Sequence, residues 1–117
     1  MEQISEHVKM PVLTRDAFLA SHDAEPQEFV SMFWGGIIRY RRATVADKNW
    51  ARQRAKVPAG NGNGTEIDEG RLQCALIQRC CVEPKLEVAD IEALLDKNAV
   101  EVGRLAAAII SRSDPTK

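Results

Sequence analysis

A chain of 117 residues with 44% hydrophobic and 28% charged residues has the size and balance of one domain. The net charge of -1 argues against a protein that coats nucleic acid, and the longest apolar run, residues 105–110, is far short of the ~20 residues of a membrane span. Three cysteines without framework spacing favour a reducing, cytoplasmic setting, and the polar, acidic start "MEQISEHVKM" is not a signal peptide.

Residues 1–11 read as flexible. "TRDAFLAS", from Thr14, predicts a short helix with Thr14 as N-cap. After the break "SHDAEPQ", the stretch "EFVSMFWGGIIRYRR" reads as extended, with Gly35-Gly36 as a turn signal; a short β-hairpin or extended segment is predicted near residues 28–42. Ile38 and Tyr40 would share one face, and Ile37, Arg39 and Arg41 the other. Phe33 and Trp34 read first as core residues. Thr44 with Asp47 three residues on predicts a capped helix over about 45–56. Val45, Trp50, Ala51 and Ala55 do not gather into one stripe, so that helix is expected to be largely exposed. "VPAGNGNG", residues 57–64, reads as a flexible loop.

Thr65 is the cap candidate for an amphipathic helix over about 66–81, whose apolar arc holds Leu72, Cys74, Leu76, Ile77, Cys80 and Cys81. Pro84 ends it. A helix over 88–97 would bury Val88, Ile91, Leu94 and Leu95. Asn98 with Glu101 predicts a reciprocal cap for a last helix, 99–112, with Val102, Leu105, Ala106, Ile109 and Ile110 on its apolar face. Residues 113–117 read as a frayed tail. The fold class expected is therefore mainly α, close to all-α: one domain, residues 1–117, of four to five helices.

The chemistry-bearing residues point away from catalysis. Cys74 and Cys81 lie two helical turns apart, about 10 Å along the axis, too far for a disulfide. Cys80 and Cys81 point about 100° apart on a regular helix and cannot ligate one metal together. His7 and His22 make no ligand spacing. "GNGNG" lacks the preceding strand and the following Lys-Ser/Thr of a phosphate loop. The cysteines read as small core hydrophobes, with "CCVEPKL" as a joint between helices where Val82 and Leu86 pack on either side. No enzyme, cofactor, metal or small-molecule substrate is expected.

The order of elements resembles the tail assembly chaperones of long-tailed, siphovirus-like bacteriophages. The matching pieces are Val82-Glu83-Pro84, Asp90-Ile91 with Leu94-Leu95, and Leu105 with Ala108-Ile109, over roughly residues 12–112. Glu87 departs from the pattern, standing where such proteins often place a Ser or Thr cap. The resemblance implies a non-catalytic protein of the host cytoplasm, absent from the mature virion. It would bind the tape measure protein, keep it soluble and help bring tail tube protein to it; a longer frameshifted product is common in such genes, and self-association is compatible with the role.

Such a partner exposes apolar helical stripes, and its binder needs aromatic and Arg anchors. Residues 39–56 carry seven bases against Asp47 alone, a local charge of +6. The candidate partner-binding residues are therefore Tyr40, Arg41, Arg42, Lys48, Trp50, Arg52 and Arg54. The alternative is a small nucleic-acid-binding regulator, with helices 88–97 and 99–112 as a helix-turn-helix. Against it, the last helix carries only Arg104 and Arg112, with Glu101 at its start.

Overall fold

The computed structural model describes residues 10–21 and 25–111. In chain order these form α1 (Arg15–Ala20), β1 (Pro26–Ser31), β2 (Gly36–Arg41), α2 (Val45–Arg54), β3 (Lys56–Pro58), β4 (Thr65–Ile67), α3 (Glu69–Cys80), β5 (Cys81–Glu83), a 3-10 turn (Val88–Asp90), α4 (Ile91–Leu94) and α5 (Ala99–Ile110). The fold is α+β, which corrects the mainly α and all-α expectation. β1, β2 and β5 make one antiparallel sheet with β2 at its centre, and β3 and β4 make a second, two-stranded one.

The hairpin of residues 28–42 forms as predicted, with Phe29 opposite Ile38 and Val30 opposite Ile37. The reversal occupies residues 32–35, where Gly35 takes a φ of 80° and donates its N–H to the Ser31 carbonyl. The three-residue strands were missed because two-residue alternation cannot show in so short a run. β5 is the direct continuation of α3: Cys81 leaves the helix and pairs with Tyr40, across a register shift between Arg39 and Tyr40. β3 and β4 flank the Gly/Asn loop, so residues 57 and 58 are paired with 66 and 65 and the loop proper is 59–64. Because β4 takes up residues 65–67, Asp68 and not Thr65 caps α3, accepting from the Arg71 N–H.

α3 is the axis of the core. Its Cys74, Ala75, Leu76, Ile77 and Cys80 meet Val102, Leu105, Ala106 and Ile109 of α5, with Tyr40 and Phe29 from the sheet and Ala51 from α2. The three cysteines are buried free thiols. Residues 88–97 do not form one helix: the 3-10 turn leads into a single turn of α4, only Ile91 is buried, and Val88 is exposed. The Asp90 carboxylate accepts the Glu87 N–H at 2.8 Å, so the acid closes the 3-10 turn. The Asn98 side chain caps α5 through the Glu101 N–H. The reciprocal half of that cap is missing, because the Glu101 carboxylate turns to Ser31 and Arg104.

Candidate partner-binding surfaces

The seven residues chosen from the basic block do not form one outward surface. Tyr40 is 2% exposed and belongs to the core, where burial raises its phenol pKa. Arg41 is not an outward charge: it grips both carboxylate oxygens of Asp47 while reaching the Arg79 carbonyl. Asp47 is 2% exposed and also accepts from Arg79 Nε at 2.8 Å and from the Thr44 N–H at 2.8 Å. Burial alone would raise its pKa; the hydrogen bonds from Arg41, Thr44 and Arg79 outweigh burial and hold it well below the usual carboxylate range. Thr44 accepts the Asp47 N–H in return, so the predicted capping box forms.

Trp50 is half-buried, with the guanidiniums of Arg54 and Arg79 each 4.9 Å from its ring centroid. This explains the missing apolar stripe of α2. The seam between α2 and α3 is made by Ala51, a buried carboxylate and a stacked indole in place of a row of aliphatics. Arg42 is half-buried, and Arg54 is exposed with its head on Trp50. Lys48 and Arg52 are exposed and make no ion pair among the described residues, which leaves them as the outward charges of the set.

A different place on the molecule has the shape of a binding site. An open, apolar groove of about 360 Å³ runs between the sheet and α4, lined by Trp34, Ile38, Leu86, Ala93 and Leu94, with Ile77 and Leu105 beneath. Asp90 and Lys97 stand among its lining residues, and the Lys97 ammonium lies 5.1 Å from the Trp34 ring. A chain of polar contacts anchors the hairpin turn that carries Trp34. Arg104 donates to Glu101 at 2.8 Å, Ser31 Oγ donates to Glu101 at 2.6 Å, and the Trp34 N–H donates to Ser31 Oγ at 2.9 Å. The hydrogen bonds from Ser31 and Arg104 lower the Glu101 pKa and keep it charged. α5 thereby fixes the hairpin turn that presents Trp34. On the opposite wall, Gln78 Nε2 donates to the Leu86 carbonyl and holds the segment after β5 against α3.

Beside Trp34 in sequence, the hairpin tip is apolar and open: Met32 is 89% exposed, and Val30, Phe33 and Ile37 are also exposed. Phe33 is therefore not a core residue, and Trp34 is half-buried. Val82, expected to pack at the joint, is exposed, whereas Leu86 packs against the core and lines the groove.

The thiols are poorly suited to nucleophilic work. Burial pushes Cys80 up to about 12, with the Asp47 charge adding to the effect, and pushes Cys81 up to about 11. Among the described residues no group of three His, Cys, Asp or Glu side chains could hold a metal ion, and His7 and His22 lie outside the described residues. Among the described residues no helix is long and apolar enough to cross a membrane. Comparison with known proteins gave no match to a family model, a curated protein or a solved structure.

Proposed function

We propose that the chain is a non-catalytic binding protein of the tail assembly chaperone kind, which takes an amphipathic helix of a tape measure protein into the groove between the sheet and α4. The observation that carries this reading is the groove itself. It is apolar, open along one side, walled in part by the Trp34 ring and edged by one acid and one base, which is what helix-in-groove recognition requires. The exposed Met32 and Phe33 of the hairpin turn, next to Trp34, extend the apolar surface available to a long partner. The tape measure as partner, the host cytoplasm as location and absence from the virion come from the likeness in sequence pattern over residues 12–112. Lys48 and Arg52 fit a steering role, speeding encounter with an acidic partner without anchoring it.

The nucleic-acid reading draws less support. Its recognition helix would be α5, which turns Val102, Leu105, Ala106 and Ile109 into the core and ties Arg104 to Glu101.

Co-expression with the tape measure protein encoded in the same genome tests the proposal. The tape measure protein should stay soluble and co-purify with the chain, and the chain should be missing from purified tails. A tape measure protein that precipitates equally with and without the chain would contradict it.

A further inference from the structure

The helix α1 is fully formed, yet none of its residues is buried against the other described residues. Thr14 caps it by accepting the Ala17 N–H at 3.1 Å, and Ser21 Oγ closes the other end by donating to the Phe18 carbonyl at 2.8 Å. It has six residues and none of them is buried. Free helices shorter than ~12–15 residues are marginal in water, so a six-residue helix needs a surface to pack on. Among the described residues its apolar side chains have none: Phe18, Leu19, Leu13 and Met10 are exposed, and Val12 is 94% exposed. Leu13 and Phe18 stand at the two positions that pair across a helix start, so they present one apolar knob.

The same chain carries an open apolar groove. We propose that α1 of one copy seats Leu13 and Phe18 in the groove of a second copy. The charges match as well as the apolar surfaces. α1 carries Arg15 and Asp16, highly exposed and 3.3 Å apart in a surface pair that is cheap to exchange, and the groove carries Asp90 and Lys97, so two pairs of opposite sign can form across the contact. Both halves of the contact belong to this chain, so it needs nothing from the tape measure reading. Donor and acceptor surfaces differ, which makes the contact heterologous. The contact is small, which places it at the weak end of specific association.

Sedimentation of the full chain from about 10 µM to about 1 mM covers the affinity range of so small a contact. The tests are Phe18→Asp, which spoils the donor, and Ala93→Arg, which fills the acceptor; both positions are exposed, so the fold is kept, as circular dichroism and thermal melting will verify. The native chain should gain average mass with concentration, each variant alone should stay monomeric, and an equal mixture should form a one-to-one pair, because one variant keeps a groove and the other keeps an α1. A native chain that stays monomeric throughout, a Phe18→Asp chain that associates like the native one, or a mixture that does not pair would each overturn the proposal. Phe18→Asp should leave tape measure binding intact while Ala93→Arg removes it, so failure of this contact is distinct from failure of the function proposed above.

Discussion

The basic block around α2 and the groove beside α4 contain the same kinds of residue, put to opposite uses. In the block, the aromatic ring and two of the seven cations are turned inward, joined by Arg79 from α3: Arg41 and Arg79 hold the Asp47 carboxylate, and the Arg54 and Arg79 guanidiniums lie against Trp50. In the groove, Trp34 meets a single Lys97 and otherwise lines open apolar space. A concentration of Arg and Trp in a sequence is thus ambiguous between an interface and an internal seam. What separates the two is one acid. Asp47, alone among seven bases, is the residue around which the block closes.

The comparison predicts that changes in the block act on stability and changes in the groove act on binding. Asp47→Ala should have the largest effect, a loss of about 3 kcal/mol in denaturant unfolding, because it strands two guanidiniums and removes the α2 cap interaction. An effect below ~1 kcal/mol would show that the cluster is no better than a surface ion pair. Trp50→Ala should follow, at about 2 kcal/mol, from lost packing and two cation–π contacts, with tape measure affinity nearly unchanged. A large rise in the dissociation rate with normal stability would move Trp50 back to an interface.

The acid response comes next. Asp47 has a folded pKa below its unfolded value of about 3.9, so between the two the unfolded chain binds the extra proton. Its contribution is fully present above the unfolded pKa and is lost as pH falls towards the folded one. Unfolding free energy should therefore decline as pH drops below about 4, and Asp47→Asn should flatten that part of the profile. An identical acid profile in the variant would assign the decline to other carboxylates. Arg52→Glu should do least: stability within ~0.5 kcal/mol, and a slower, less salt-sensitive association with the tape measure protein.

Much of the fold was legible because its signals are local. Thr44 with Asp47 gave the start of α2, the apolar arc of residues 72–81 gave α3, and the run of small and aliphatic residues after Asn98 gave α5. What escaped depends on partners distant in sequence. Cys81 becomes a strand residue only because Tyr40 is there to pair with it, and Glu101 abandons its cap for Ser31, seventy positions away. The groove was the least legible feature. Its lining comes from the hairpin turn, the segment after Pro84 and the short α4, none of which carries a full apolar period. The one available signal was Leu86, an aliphatic residue set between the charged Lys85 and Glu87.

The most direct measurement is the affinity of the tape measure protein for two variants side by side, Ala93→Arg in the groove and Arg52→Glu in the basic block. Both positions are exposed, so both chains should melt like the native protein. If the groove is the binding site, Ala93→Arg should weaken binding by a hundredfold or more, about 2.7 kcal/mol, while Arg52→Glu changes it by less than about tenfold. The reverse order, with Ala93→Arg binding normally and Arg52→Glu not binding, would contradict the assignment and return the partner surface to α2.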